Sequence, residues 1–527
     1  MFFRMRTSSR IINNRNKIIF FTKKIEHTPL HKKGGAKRKN KMALKIPFAG
    51  FSYLPHQIEG IKWLLRREAP DATPFQGGIL ADDMGLGKTW QLIGLILNSV
   101  LKKTLLIVPA SLLETWLTAL QQASIAVYHK QTSDAKWTCI SDPKTTGKYV
   151  FLISYDRFVN GCKYGLLDET TFQRVVCDEA QNIRNGLKTR RFVALMKLPP
   201  SSRWLLTGTP FQNSEEDMEN LFLFLGSQKE PVSTLVRTCL LRRTYADLRV
   251  QGFPGIPPPY KKEVIVCKAE SGPERKLLAK LIGRILFARA HPTPPFMILE
   301  LFMRMNQAMA HPYVYFNSVK KKKGLIIPKE EWLGIPSGKT HALSNLLFTT
   351  AKEPTIAFCT FTDEIRIVAD TFRDQGYTVF ILNGSVGFQQ RQDSIAEARS
   401  LVLGGNSSVA FVVQWVAGGA GLNLQFCTRV VLYTQHWNPA VIQQAIGRAH
   451  RIGQSNQVSV YSLVFNFEDK LNMDRRMRLA QRHKMEDAHE ILATLLLEDS
   501  VSRQPEAIPL EPLLPPEPQE AVDEDPS

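Results

Sequence analysis

Seven cysteines in 527 residues, no two closer than fifteen positions, leave no Cys-x-x-Cys knuckle and no paired spacing. A zinc finger and a disulfide-stapled secreted framework are both excluded on that ground, and the thiols read as reduced and intracellular. No run of eighteen apolar residues is present, and no charged-apolar-small cleavage signal opens the chain. Neither a membrane span nor a secretory route is expected, and the protein reads as soluble. Acid is scarce at one end and base at the other. Residues 1–46 carry fourteen Lys/Arg against Glu26 alone, and residues 504–527 carry seven acids and no base. Within a net charge of +20, the body between these ends retains about +14, a balance that attracts polyanions, of which nucleic acid is the commonest.

What is present is a chain with 44% apolar residues, long enough for two or three cored domains. Short apolar runs ("TLLIVPA", "YVFLIS", "RVVCDEA", "RWLLTGT") alternate with helical patterns in the first half. A second series ("TIAFCTF", "TVFILNG", "VAFVVQ", "RVVLYT") follows a different middle region. Strand-helix alternation builds a parallel sheet covered on both faces, so two α/β domains are expected. From about 214 to 335 the rhythm breaks into helical periodicity, read as a mainly helical insertion. The basic start, with its "HKKGGAKRKNKMALK" cluster, reads as a disordered arm for nuclear import or DNA contact. A mitochondrial presequence is the rival, disfavoured because Asn13, Asn14 and Asn16 interrupt an amphipathic helix. The tail is proline-rich and acidic, hence extended.

"ILADDMGLGKTWQL" (79–92) contains Gly-Lys-Thr after an apolar run and before a helical pattern. A phosphate loop needs inward backbone N–H groups, a helix N-terminus behind them, and a lysine for the terminal phosphates. Gly85 and Gly87 permit the sharp path, and Lys88 and Thr89 open the helix. Asp82 stands where the common pattern has its first glycine, so the loop enters at negative φ. A second candidate, "SGKT" at Ser337–Thr340, follows no strand and has Leu333 at the first-glycine position; it is a decoy. Further on, "VVCDEAQ" ends a strand with Asp178 and Glu179, adjacent carboxylates suited to magnesium ligation and activation of a water. "LLTGTPFQN" places Thr207, Gly208 and Thr209 at the end of the next strand.

At this point residues from about 50 to 465 resemble the Swi/Snf-type ATPases, double-stranded-DNA translocases within helicase superfamily two. "YLPHQIEGIKWLL" is similar to the glutamine motif, "ILADDMGLGKT" to motif I, which in this family also has an acid at the Asp82 position, and "LIVPASLLETW" to motif Ia. "ISYD" is similar to Ib, "DEAQNIRN" to motif II and "LLTGTPFQN" to motif III. "LRRT" (241–244) and "MRMNQAMAHP" (303–312) resemble the family's arginine pair and insertion signature, and "SGKT" its entry to the second lobe. "FCTFT" is similar to motif IV, "VAGGAGLNL" to motif V and "QQAIGRAHRIGQ" to motif VI.

The resemblance implies two RecA-like lobes: a basic arm over 1–46, an ATP-binding lobe over 47–235, the helical insertion over 236–335, a second lobe over 336–480, and a C-terminal helix with the acidic tail over 481–527. It implies an ATP-binding set of Gln57, which reads adenine, with Asp82, Asp83, Met84, Gly85, Leu86, Gly87, Lys88 and Thr89. Thr89 and Asp178 are the expected Mg²⁺ ligands. Lys88, Asp178, Glu179, Arg448 and Arg451 are the expected catalytic residues, the two arginines reaching from the second lobe to stabilise the transferred phosphoryl group. Gln181, Thr207, Gly208, Thr209, Gly419, Gly421, Asn423 and Gln444 are expected to couple hydrolysis to DNA grip. The expected function is a DNA-stimulated, Mg²⁺-dependent ATPase that translocates on duplex DNA through phosphate contacts, remodelling nucleosomes or other DNA-bound proteins, without membrane or zinc. A strand-separating or fork-remodelling helicase and a catalytically degenerate scaffold are the alternatives. The nucleus is the expected location. The chain departs from the family at Gln181, usually histidine, at Gly447, often an acid, and at the "QWVAGG" opening of motif V.

Overall fold

The computed structural model describes residues 43–483 except 131, 133–135, 141–145, 164–170, 211–214, 229, 324–335, 416–421, 466–473, 475–476 and 480. Two sheets organise it. The first has strands β1 (Gly77–Leu80), β2 (Lys103–Val108), β3 (Ala126–His129), β4 (Thr138–Cys139), β5 (Tyr149–Ser154), β6 (Arg174–Asp178), β7 (Ser202–Leu206) and β8 (Leu240–Leu241). Their order is β4-β3-β5-β2-β6-β7-β1-β8, parallel except for the antiparallel β3–β4 pair. The second has β9 (Lys261–Cys267), β10 (Thr355–Cys359), β11 (Thr378–Leu382), β12 (Val409–Gln414), β13 (Arg429–Leu432) and β14 (Ser459–Phe465), in the order β11-β12-β10-β13-β14-β9, parallel throughout.

The strands read as unbroken apolar runs because both faces are buried. On the first sheet, Ile79, Leu105, Ile107, Val175 and Cys177 face one core. That core is closed by helices α4 (Tyr155–Lys163), α5 (Arg190–Met196), α6 (Glu215–Leu225) and α7 (Val232–Cys239). Leu80, Leu106, Val108 and Val176 point the other way, into a core closed by α1 (Pro55–Arg67), α2 (Lys88–Asn98) and α3 (Leu113–Gln122). The second sheet is likewise sandwiched. One side holds α9 (Gly272–Ala290), α10 (Pro295–Ala310), α12 (Gly338–Thr349) and α13 (Thr362–Asp374), and the other holds α14 (Phe388–Leu403) and α15 (Pro439–Ile446). The connecting stretch adds α8 (Tyr245–Val250), and α11 (Pro312–Lys323) follows α10. These elements belong to one compact unit, residues 41–496.

The stretch 236–335, expected as a mainly helical insertion, contains a strand of each sheet: β8 extends the first, and β9 is the outer strand of the second. Among the described residues of this stretch, α9, α10 and α11 form the helical excursion. β8 has two residues, too few for a periodic signal, and β9 ("KKEVIVC") carries charge because its outer edge faces solvent, a habit of edge strands. "SGKT" is a joint, not a phosphate site. Gly338 opens α12, and its backbone N–H donates to the Glu274 carboxylate at 3.2 Å. A Cβ on Gly338 would lie 1.9 Å from the Lys268 carbonyl oxygen. Lys339 is fully buried in an ion pair with Asp474 at 2.7 Å.

Candidate active site

Four adjacent strands, β6-β7-β1-β8, carry the candidate residues at their carboxyl ends, where ligands bind in open parallel sheets. With strands about 4.8 Å apart, the ends of these four span roughly 15 Å. The loop after β1 passes through Gly85 (φ 86) and Gly87 (φ 81) into α2, whose first residues are Lys88 and Thr89. These positive φ values are costly for other residues. Asp82 is absent from the positive-φ set, as the sequence required.

The Asp82 carboxylate does not face the cleft. It is fully buried, paired with Arg243 and accepting from Gln91 Nε2 at 2.9 Å. Arg243 also donates to the His56 carbonyl oxygen, and Gly60 on α1 leaves room for the cluster, since a Cβ there would lie 1.8 Å from Gln91 Oε1. The backbone beyond β8 continues this clamp: Ala81 N donates to Leu241 O at 2.7 Å and Asp83 N to Arg243 O at 2.9 Å. Arg242 Nη2 stands 3.5 Å from Asp83 Oδ1, and Tyr245 Oη donates to the Met84 carbonyl at 2.9 Å. Asp82 therefore holds the loop in shape. Arg243, assigned no role from sequence, is what it holds on to, while Arg242 stands against Asp83.

Lys88 Nζ donates to the carbonyls of Asp82 (2.6 Å) and Asp83 (3.3 Å). Burial lowers its pKa, against the pull of Glu179, Asp82, Asp178 and Asp83. Gln57 Nε2 and His56 Nε2 both meet the buried Leu86 carbonyl, at 3.3 and 2.9 Å. Gly208 allows the end of β7 to approach this loop, as a Cβ there would meet Met84 Cγ at 2.6 Å.

Asp178 ends β6, and its carboxylate accepts from Trp116 Nε1 at 2.7 Å and Glu179 N at 2.9 Å. Tyr155 Oη donates to its carbonyl at 2.8 Å. Burial, then the neighbouring Glu179 charge, push the Asp178 pKa up to about 7. A buried carboxylate in this state gains from a cation. Asp178, Glu179 and the Thr89 hydroxyl supply the hard oxygens that Mg²⁺ prefers, and Mg²⁺ needs only one or two carboxylates when phosphates complete its shell. Among the described residues no group of three or more His, Cys, Asp or Glu is placed to hold a metal.

Glu179 sits at φ 51, ψ 61, a conformation that costs a non-glycine residue free energy and clusters at functional sites. Its carboxylate accepts from Gln181 Nε2 at 2.8 Å. Gln181 Oε1 accepts from Thr207 Oγ1 at 3.2 Å, and Thr207 Oγ1 accepts from Thr209 N at 3.1 Å. A continuous hydrogen-bonded path thus joins the acid of one strand end to the loop of the next.

The second lobe closes the cleft. Arg448 follows α15 and is buried; loss of solvent lowers its pKa to about 10, Glu179 being the charge that opposes the shift and Arg451 one that adds to it. A Cβ on Gly85 would lie 2.9 Å from Arg451 Cβ, and one on Gly447 would lie 3.5 Å from Met84 Cβ. Arg451 Nη1 donates to Asn423 Oδ1 at 3.3 Å. The Tyr245 ring meets His450 at a centroid distance of 5.0 Å. Gln444 lies on α15, one turn before Arg448. Gly419 and Gly421 lie outside the described residues. Trp116, Tyr155, Arg242, Arg243 and Tyr245 are site residues that sequence reasoning did not single out. All but Tyr245 lie inside the motifs, but their partners come from elements distant in the chain.

Comparison with known proteins follows the same division. Residues 56–234 match the SNF2-related domain and residues 338–453 the helicase conserved C-terminal domain. The chain is 26% identical over 445 residues to the human SWI/SNF-related matrix-associated actin-dependent regulator of chromatin subfamily A member 1, covering 78% of this chain and 41% of that protein. It is 27% identical over 493 residues to DNA repair and recombination protein RAD54B of Gallus gallus, covering 79% of this chain and 52% of the relative. The chain thus spans about half or less of the length of these relatives. Among solved structures, the SWI2/SNF2 ATPase core of Sulfolobus solfataricus in complex with double-stranded DNA is 24% identical, with a TM-score of 0.37, covering 86% of this chain and 98% of that one.

Proposed function

The chain belongs to the Swi/Snf-type, superfamily-two helicase-like family, and from that premise we propose that it is a DNA-stimulated ATPase that translocates on duplex DNA and remodels protein–DNA complexes. The observation that carries this reading is the meeting of the two lobes: Gly447 and Arg451 of the second, flanking Arg448, pack against Met84 and Gly85 of the first. Lys88 and the backbone of 83–87 bind the phosphates, and Gln57 the base. Thr89 and Asp178 would hold Mg²⁺, which would supply charge compensation for the phosphates when bound. Glu179, its geometry fixed by Gln181, accepts a proton from the attacking water, while Arg448 and Arg451 stabilise charge on the transferred phosphoryl group. An arginine supplied this way is worth roughly 10³–10⁵ in rate.

Because the arginines and the lysine belong to different lobes, turnover requires closure, and release permits opening. Alternation of this kind, with a strand held across both lobes, converts hydrolysis into stepping. The Glu179–Gln181–Thr207–Thr209 path is the proposed link between the phosphate site and the grip. A body charge near +14 favours phosphate contacts, so DNA binding is expected to be salt-sensitive and largely independent of sequence. The relatives' names associate them with chromatin and with DNA repair, and the proposed location is the nucleus.

The test is ATP hydrolysis with and without duplex DNA, beside triplex displacement on the same duplex. Stimulated turnover with third-strand release is expected. Absence of turnover in both conditions removes the proposal, and turnover without strand release removes the translocation step.

A further inference from the structure

The helical excursion of the second lobe carries an apolar surface that the motor does not use. α10 has two charged residues in sixteen, a composition normal for a helix enclosed on all sides. Its Met305 and Met309 do enter the core of the second sheet. On the opposite face Phe296, Leu299 and Met303, spaced i, i+3 and i+7, stand in solvent, Phe296 and Leu299 each 70% exposed. α9 repeats the pattern. Leu277, Leu281 and Ile285 are buried in that core, while Leu286 and Phe287 are exposed, Phe287 by 65%.

The outer face of α9 also presents Ala279, Gly283 and Ala290, with open space above Gly283. Both helices turn these faces away from one shared core, so the faces lie together on the outside of the hairpin. A row of small residues beside a row of large apolar ones suits a third helix laid along the pair. The rim has one sign. Arg275, Lys276, Lys280, Arg284 and Arg289 are exposed, whereas the hairpin's acids are engaged: Glu274 is buried against Gly338 N and Glu300 pairs with Arg304 at 3.3 Å.

We infer that the outer face of the α9–α10 hairpin is a docking site for an amphipathic α-helix of a partner protein, apolar along one stripe and acidic along both flanks. Nucleic acid is a poor occupant, since the exposed Phe287, Phe296, Leu299 and Met303 beside the basic side chains offer nothing to meet a phosphate. A second copy of this surface would set like charges against each other. A docked helix would cover apolar area without touching the ATP cleft, so the site recruits or is recruited independently of turnover.

The experiment uses the full chain and a fluorescein-labelled designed peptide, about eighteen residues long so that it can form a helix on binding, with leucines at i, i+3, i+4 and i+7 and glutamates on both flanks. Controls are a scrambled peptide of the same composition and a version with lysine for glutamate. Binding by anisotropy is expected for the acidic helix, weakened at least about tenfold by Phe296→Ser with Leu299→Ser, as for central apolar anchors. Arg284→Glu with Arg289→Glu is expected to weaken the acidic peptide and strengthen the lysine version. DNA-stimulated hydrolysis should be unchanged in both double variants, which separates this site from the motor reading. Equal binding of the scrambled peptide, or no loss in the serine variant, overturns the proposal. So does sedimentation showing a dimer that the serine variant dissociates, which gives the surface to a second copy, or loss of duplex binding in that variant, which gives it to DNA.

Discussion

Asp82 shows how a residue that looks like a defect in a motif serves as its support. Replacing it with the glycine of the common phosphate-loop pattern makes the sequence more typical, yet strands the Arg243 guanidinium, on a side chain only 11% exposed, without its carboxylate. Breaking one side of a buried pair costs about 3–5 kcal/mol, so Asp82→Gly is expected to lower the thermal midpoint by many degrees and abolish ATP binding together with stability. A wild-type melting curve for that variant contradicts the clamp. Gln181 acts differently, since its amide only orients Glu179 and reaches Thr207. Gln181→Ala is expected to cut DNA-stimulated kcat by about ten- to a hundredfold with the KM for ATP nearly unchanged, the signature of a group acting in the transition state. A raised KM at constant kcat would assign Gln181 to substrate binding instead.

At the scale of elements, the joints between strands and helices decide stability. Gly338→Ala inserts a methyl group 1.9 Å from the Lys268 carbonyl at the start of α12. Backbone on both sides must shift, at a typical overpacking cost of about 1–3 kcal/mol, and a lowered unfolding midpoint in denaturant is the expected reading. The start of α13 carries a pH-dependent term. Glu364 accepts from the N–H groups of Thr360 and Phe361 at 3.0 and 2.9 Å, and burial drives its pKa from 4.5 up to about 7. The folded state therefore holds a proton that the unfolded chain releases between those values. Its contribution to stability is full below about pH 4.5, falls as pH rises towards 7, and is level above that. Glu364→Gln keeps an acceptor oxygen and removes the titration, so its advantage over the wild type in thermal unfolding should grow across that window and then stay constant. A difference independent of pH would mean that Glu364 does not titrate there.

At the scale of the molecule, the cleft has one wall from each sheet. Arg448→Ala removes the second wall's charge while leaving Lys88, Asp178 and Glu179 in place. Turnover is expected to fall by at least about 10³, with ATP and low-salt duplex binding retained. Loss of binding with turnover would instead make Arg448 part of the nucleotide pocket itself.

Local chemistry and periodicity were enough to read two parallel sheets, a glycine-rich loop between β1 and α2 and the acids at the end of β6. Each depends on residues adjacent in the chain: apolar runs for buried strands, glycines at positive φ, a lysine at a helix start. A mainly helical 236–335 leaves out β8 and β9, because a two-residue strand has no period and an edge strand need not be apolar. Nor does the sequence around Arg242 and Arg243 reveal their partners. The Asp82–Arg243 clamp, the path from Glu179 through Gln181 to Thr207, and the approach of Arg448 to Glu179 join positions 161, 28 and 269 apart in the numbering. Only the stacking of strands out of chain order, β6 beside β7 beside β1 beside β8, and the packing of the loops around Gly85 and Met84 against Arg451 and Gly447 bring such groups together.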